Sequence, residues 1–183
     1  MAYSYVSLSK ASDRDLEYVL RKGVTPSLET LVGCEFKGYS VPLLTQFLGF
    51  RKFKKGFFAD GGQSVEGGEI SGYNVVVEQN GLDAAWIAKP SEVEPKRHSF
   101  FRVYKVRGSE IDNLYPNAVL LNYGMGGNAL WNPARLLRDY VVQVVPDNPD
   151  LLLGKAYFAA GPLRTFPGFF VLEKYNESRF QGR

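Results

Sequence analysis

Four short segments in the second half of this sequence place a charged side chain two residues before a tyrosine. They are "RVY", "RDY", "KAY" and "EKY", which contain the pairs Arg102/Tyr104, Arg138/Tyr140, Lys155/Tyr157 and Glu173/Tyr175. Residues two apart lie on the same face of a β-strand, and each of these faces is otherwise apolar, as with Val142 and Val144 beside Tyr140. Because an unpaired buried guanidinium is costly, these charges need partners.

A cavity with apolar walls and a few convergent polar groups is the usual site for a small molecule. Arginine can hold a carboxylate through two parallel hydrogen bonds, and a tyrosine hydroxyl can donate a third. We therefore predict binding of a small hydrophobic ligand with an anionic or polar head group, such as a fatty acid or an isoprenoid. The predicted ligand-binding residues, which should converge on one internal space, are Arg102, Tyr104, Arg138, Tyr140, Lys155 and Tyr157. Arg138 and Tyr140 are the preferred anchor.

A structural explanation of the same pattern stays open. Arg102 or Arg138 could form an ion pair with Glu173, since a buried charge needs a partner. A β-bulge could also shift the strand parity, so that the arginines face solvent.

The same cavity could instead belong to a cofactor-free isomerase or cyclase, which would fold a hydrophobic substrate and stabilise an enolate. Glu173 is then the predicted catalytic acid or base, because its face is apolar. Asp139 is the second candidate for that role, but it has the opposite parity to Arg138 and is expected in solvent. The only histidine, His98, lies in the charged segment "EPKRHS" and is expected to be solvated, and the only cysteine, Cys34, is expected to be buried and inert.

No metal or cofactor is predicted. A single histidine excludes a histidine-rich metal site, and the glycine-rich "GMGGN" from Gly124 to Asn128 lacks the Lys-Ser/Thr of a phosphate-binding loop. The segment is better interpreted as a connection at the mouth of a barrel.

The elements that must position these residues are mainly strands. The 13 Phe, 11 Tyr and 19 Gly favour β structure, and Ser12 and Gly23 bound a predicted N-terminal helix from about Ser12 to Lys22. A first strand lies within Leu28–Ser40, and a short helix is predicted from Pro42 to Gly49. Further strands are predicted near residues 51–59, 68–78, 83–89, 99–107, 117–123, 134–145, 151–160 and 168–175. Asn80-Gly81 and the segment Pro146–Pro149 predict turns.

These elements predict an all-β, mainly antiparallel, closed or nearly closed barrel of about eight or nine strands, since closure removes exposed strand edges. We expect one domain over residues 1–183, with an N-terminal helical segment at 1–30, the barrel at 31–175 and a tail at 176–183. The size of the chain fits a single core.

Composition limits the partners. The net charge of +3, from 22 basic and 19 acidic residues, is too balanced to indicate nucleic acid. The segment Phe50–Phe58, "FRKFKKGFF", is interpreted as a strand with its lysines in solvent, although contact with a membrane surface stays open. A cytoplasmic location is predicted, because a lone cysteine allows no internal disulfide and the N-terminal residues show no secretory signal.

The pairs Arg102/Tyr104 and Arg138/Tyr140 resemble the carboxylate-binding element of the intracellular fatty-acid-binding proteins, which belong with the lipocalins to the calycin group. The segment "GCEFKG", Gly33–Gly38, loosely resembles the Gly-x-Trp motif of the first lipocalin strand, although Phe36 is one position late and the tryptophan is absent. The order of helix and barrel is also similar to lipocalins. The resemblance covers residues 31–175 and implies a carrier of hydrophobic ligands.

Overall fold

The first described part of the chain is helical. The computed structural model describes residues 3–41, 51–60, 65, 68–108 and 111–182. Its α-helices are α1 (Tyr5–Ser9), α2 (Asp13–Lys22) and α3 (Leu28–Leu31). The predicted N-terminal helix is confirmed as α2: the Ser12 hydroxyl accepts a hydrogen bond from the backbone N–H of Asp15, and Gly23 follows the last turn.

Eight strands form a closed antiparallel barrel in the described residues, so the predicted fold class is confirmed. Each strand pairs with the next along the chain, and β8 pairs back with β1. The strands are β1 (Cys34–Ser40), β2 (Lys52–Phe58), β3 (Glu69–Val76), β4 (Arg97–Lys105), β5 (Val119–Asn122), β6 (Leu137–Val145), β7 (Asn148–Ala160) and β8 (Leu163–Glu177). Two 3₁₀ turns, Tyr123–Met125 and Pro133–Leu136, connect β5 to β6.

The barrel interior is identified by a contact between strands on opposite sides. Lys55 of β2 and Asp139 of β6 form an ion pair with 3.0 Å between Nζ and Oδ2. Strands four apart in an eight-stranded barrel can meet in this way only through the middle. The residues of matching parity therefore point inward, and they include Phe53, Phe57, Phe101, Leu121, Val141, Phe170 and Leu172. Leu28 and Leu31 of α3 join this cluster at the end where β1 begins.

The outer face of the barrel is also largely buried. Leu16, Val19 and Leu20 of α2 pack in one apolar cluster with Tyr140 and Val142 of β6. Elsewhere the Trp86 and Phe180 side chains cover the outside, against Tyr5 and Tyr73 respectively. Both faces of several strands are consequently apolar, and this explains why alternation alone does not reveal which face is internal.

The predicted strand at 83–89 is wrong, because this segment folds around a lysine. The ammonium of Lys52 donates to the carbonyls of Gly81, Ala84 and Ala85 and to the Asn80 side chain, and it lies 3.7 Å from the centre of the Trp86 ring. Isolated bridges, such as that between Val77 and Ala88, are all the pairing that remains. The predicted tight hairpin at Asn80-Gly81 is therefore replaced by a loop that satisfies a buried charge.

The helix predicted from Pro42 to Gly49 lies outside the described residues. Among the helices that are described, each is too short to cross a bilayer.

Candidate functional site

A cavity of about 430 Å³ lies at the end of the barrel where β1 ends and where β4 and β6 begin. Most of its wall area is apolar. The wall combines inward residues of the strands with the 3₁₀ turn that precedes β6. The apolar lining residues are Phe53, Pro133, Ala134, Leu137, Ala156, Phe158 and Phe170. The polar ones are Ser40, Lys55, Asn74, His98, Ser99, Tyr123, Asn132 and Asp139.

Lys55 is the centre of the polar group. Its side chain is 3% exposed, and its ammonium donates to Asn74 Oδ1 at 2.9 Å, to Asp139 Oδ2 at 3.0 Å and to the Tyr123 hydroxyl. An ammonium has three protons, so these acceptors use its whole donor capacity. The rings of Phe53 and Phe170 lie 5.4 and 5.2 Å from Nζ, where their faces attract a cation.

Tyr123 joins the lysine to the carboxylate. The 3₁₀ turn directly after β5 carries it, and the Asn122 side chain caps that turn by accepting from Gly124 N. The Tyr123 hydroxyl donates to Asp139 Oδ2 at 2.9 Å and accepts from Lys55 and from Asn74 Nδ2. Asp139 is thereby held through one oxygen by two donors.

The other carboxylate oxygen of Asp139, Oδ1, differs from Oδ2 in its hydrogen bonding. Oδ1 is buried and has no hydrogen-bond partner among the residues that the structure describes, and the same holds for the hydroxyl of Ser40. Both residues line the cavity. Buried polar atoms are rarely left unpaired, so the unpaired oxygens mark Asp139 and Ser40 as candidate contacts for a bound molecule.

Burial is the largest cause of the pKa shifts of Lys55 and Tyr123. It lowers the pKa of Lys55 against the opposing effect of Asp139, and it raises the pKa of Tyr123 well above its usual value, with the Asp139 charge adding to the shift. The phenol is therefore neutral at physiological pH. Titratable groups with pKa values shifted by burial and by a specific partner are typical of functional sites.

A β-bulge directs His98 into the cavity. Between β3 and β4 the register moves from Gly72 opposite Phe101 to Asn74 opposite His98, so that β4 holds one extra residue. Ser99, at φ 48°, lies in this bulge. His98 Nδ1 lies 2.9 Å from the Ser99 hydroxyl, and burial, followed by the charges of Lys55 and Lys96, lowers the pKa of the imidazole. The expectation of a solvated loop histidine is corrected: His98 is half-buried on a strand.

Two of the predicted pairs lie outside the barrel at β6 and β7. Arg138 donates to Asp112 Oδ2 at 3.1 Å, and the Tyr140 hydroxyl is 3.5 Å from Asp112 Oδ1. Lys155 donates to Glu17 Oε2 of α2 at 2.8 Å, and the Tyr157 hydroxyl lies 3.0 Å from that of Tyr115. These side chains join the helix and a loop to the outer face.

The remaining predicted residues also lie on the outer face. Arg102 contacts Asp60 and Ser71 and lines a separate cleft, while the Tyr104 hydroxyl accepts from Asn122. Glu173 forms an ion pair with Lys37, with 2.5 Å between Nζ and Oε2. The expectation that the six predicted ligand-binding residues converge on one internal space is therefore corrected, whereas a binding or catalytic role for any of them stays a prediction.

Two of the residues that meet inside the barrel, Lys55 and Asp139, are predicted from the sequence to lie in solvent. Asp139 is 4% exposed in its side chain, and the three lysines of "FRKFKKGFF" are buried on β2. The expectation that these lysines lie in solvent is wrong, because each ammonium has acceptors: Lys52 in the loop after β3, Lys54 at Glu92 and Lys55 at Asp139. Contact of Phe50–Phe58 with a membrane surface stays a prediction.

No model of a known protein family matches the chain, and no curated protein is significantly similar to it. Across the described ranges, no group of three or more His, Cys, Asp or Glu side chains is placed to hold a metal ion. The site is therefore interpreted from its own geometry: an apolar cavity with one polar group at its inner end.

Proposed function

We propose that this barrel binds a small, largely apolar molecule with a polar head group, in the class of a fatty acid or an isoprenoid. The apolar part would lie against Phe53, Phe158 and Phe170, and the head group would reach the polar group at Lys55 and Asp139. One observation carries the proposal: the cavity has largely apolar walls and contains one hydrogen-bonded group of polar side chains, formed by Lys55, Asn74, Tyr123 and Asp139.

The size and the setting of the cavity support a small molecule. A volume of about 430 Å³ falls within the range of roughly 300 to 1,000 Å³ that is usual for ligand sites. The mouth of a closed barrel is a common place for such sites. The calycin carriers also have closed antiparallel barrels, so the fold is compatible with the proposal, whereas the Arg-x-Tyr pairs that carry the resemblance lie outside this barrel.

The test combines ligand detection with a blocked cavity. Native mass spectrometry of the purified chain should show a bound small molecule, and Nile red, whose fluorescence rises in apolar surroundings, should bind in a saturable way. Ala134 lines the cavity, so Ala134→Trp is expected to weaken Nile red binding at least tenfold by filling the space. Ala129, five residues earlier and exposed, provides the matched control, since Ala129→Trp should bind as the wild type does.

The proposal fails if the wild type shows neither a bound molecule nor saturable Nile red binding. It also fails if Ala134→Trp and Ala129→Trp bind the dye equally well while both keep the circular dichroism spectrum of the wild type.

A cofactor-free isomerase or cyclase is the second candidate. The observation that favours it is the presence of His98 and Tyr123 in one cavity, with pKa values shifted in opposite directions. A neutral imidazole can accept a proton and a neutral phenol can donate one. If the molecule that copurifies is incubated with fresh protein, a product of equal mass but different chromatographic retention would support turnover. A compound that stays unchanged would support binding without turnover.

A further inference from the structure

The hydrogen-bonding capacity of the cavity is uneven. The three N–H groups of the Lys55 ammonium donate hydrogen bonds to Asn74, Tyr123 and Asp139. In contrast, Asp139 Oδ1 has no hydrogen-bond partner among the residues described. The polar group of the cavity therefore has an unpaired acceptor, Asp139 Oδ1, whereas its charged donor, the Lys55 ammonium, is already fully hydrogen-bonded. A carboxylate oxygen can only accept while it is ionised.

The charges of the group disfavour a charged head group of either sign. A carboxylate placed at Asp139 Oδ1 would bring two negative charges together and would find the ammonium of Lys55 already occupied. An ammonium placed there would meet Asp139 but would also be repelled by Lys55, whose Nζ is 3.0 Å from the other oxygen of the same carboxylate. In surroundings of low dielectric such repulsions are large. A neutral hydrogen-bond donor avoids both the repulsion by Asp139 and the repulsion by Lys55.

Ser40 adds a second unpaired group. Its side chain is fully buried at the end of β1, it lines the same cavity, and its hydroxyl has no hydrogen-bond partner in the described part of the chain. A hydroxyl can donate as well as accept, so it can bond to the oxygen of a neutral head group. The cavity lining therefore offers an acceptor at Asp139 and, at Ser40, a hydroxyl that can either donate or accept.

We propose that the ligand of this cavity is an apolar alcohol, whose hydroxyl donates to Asp139 Oδ1 and can also hydrogen-bond to the Ser40 side chain. The inference rests on the proposed binding function and makes it narrower, because it replaces the anionic head group of a fatty acid with an uncharged one.

Decanol and decanoate test this, because they share a chain and differ in the head group. Their affinities are measured by displacement of Nile red at pH 7.5, where the carboxylate is ionised. Decanol is expected to bind about tenfold more tightly or better, since the anion leaves Asp139 unpaired and repelled. Ser40→Ala should weaken decanol by about three- to tenfold. Ser9, a buried serine of α1 that bonds to the Tyr5 carbonyl, gives the control, and Ser9→Ala should not change the binding.

Asp139→Asn reverses the electrostatics. It removes the negative charge that repels a carboxylate head group, so decanoate should gain at least about tenfold relative to decanol. Ser40→Ala removes no side-chain hydrogen bond to the residues that the structure describes, so the test remains valid even if Asp139→Asn does not fold.

The outcomes separate the two proposals. Decanoate binding to the wild type as tightly as decanol, or more tightly, overturns the alcohol while leaving a ligand site in place. An unchanged decanol affinity in Ser40→Ala removes Ser40 from the site and contradicts the inference in that part. Displacement by neither compound, from a protein that does bind Nile red, also overturns the alcohol. Failure to bind Nile red itself counts against the binding function as a whole.

Discussion

Asp112 and Asp139 are both buried carboxylates, and they are bound in opposite ways. Asp112, on the outside of the barrel, uses both oxygens: Arg138 donates to Oδ2 at 3.1 Å and Arg164 donates to Oδ1 at 2.6 Å. Asp139, inside the barrel, has donors on Oδ2 only, from Lys55 and Tyr123. Its Oδ1 faces no partner among the described residues.

Asp112 is therefore a carboxylate that joins parts of the fold, whereas Asp139 is one that can still accept a hydrogen bond from a bound molecule. Two guanidiniums around Asp112 connect β6, the start of β8 and the loop after β4, so its hydrogen bonds are complete without a ligand. The Asp139 group is complete on the lysine side and incomplete on the carboxylate side, next to a cavity. The number of hydrogen bonds made, rather than burial or charge, therefore distinguishes Asp139 from Asp112.

The largest effect is expected from breaking the internal pair. Asp139→Leu leaves the Lys55 ammonium buried without its counter-charge, and loss of one partner of a buried pair costs about 3 to 5 kcal/mol. Deprotonation of Lys55, whose pKa is already lowered by burial, limits the loss toward the smaller figure. Urea unfolding, followed by tryptophan fluorescence, measures the change in the free energy of unfolding.

The double variant Lys55→Met/Asp139→Leu is the control. It replaces both charges with apolar groups, and such replacements are often neutral or stabilising, so most of the stability should return while decanol binding is lost. A double variant as unstable as Asp139→Leu alone would show that the pair itself does not determine the loss.

A smaller effect is expected outside the barrel. Asp112→Asn removes the charge that Arg138 and Arg164 share, but their side chains are 17% and 9% exposed and can reorient toward water. A loss of about 1 to 3 kcal/mol in the free energy of unfolding is expected, with decanol affinity within twofold of the wild type. A large loss of decanol affinity at unchanged stability would contradict the assignment of Asp112 to structure and would favour the predicted anchor at Arg138.

The sequence predicts the barrel well because its signals are local. The Ser12 cap, the turn signal at Pro146–Pro149 and the run of short strands are each short-range patterns, and α2, the β6–β7 turn and the closed barrel follow them. The strand predicted at 83–89 fails for a non-local reason. Its Ala84 and Ala85 carbonyls accept hydrogen bonds from Lys52, which is 32 and 33 residues earlier in the chain, and no local pattern indicates that.

The site is harder to predict because both faces of the strands are apolar. On β6, the face of Tyr140 and Val142 is covered by α2, and the face of Asp139 and Val141 points inward. Alternation marks a buried face only when the other face is solvated, so the apolar outer face was interpreted as the interior. The sequence does hold one signal, the adjacent Lys54 and Lys55 in "KFKKGFF", because neighbouring residues on a strand point to opposite faces and cannot both lie on one solvated face.

The smallest effect expected is a pH dependence from His98. Burial lowers the pKa of its imidazole in the folded chain, and the charges of Lys55 and Lys96 add to the shift. Below the unfolded pKa of about 6.5, the unfolded chain therefore binds more protons than the folded one, so stability falls as the pH falls. The free energy of unfolding, measured in urea between pH 7.5 and 5.5, should decrease toward the acid end. His98→Gln keeps a polar side chain without titration, and its curve should be flatter than that of the wild type over the same range. Parallel curves would mean that His98 is not held in the neutral form, and they would remove the proton acceptor on which the isomerase or cyclase alternative depends.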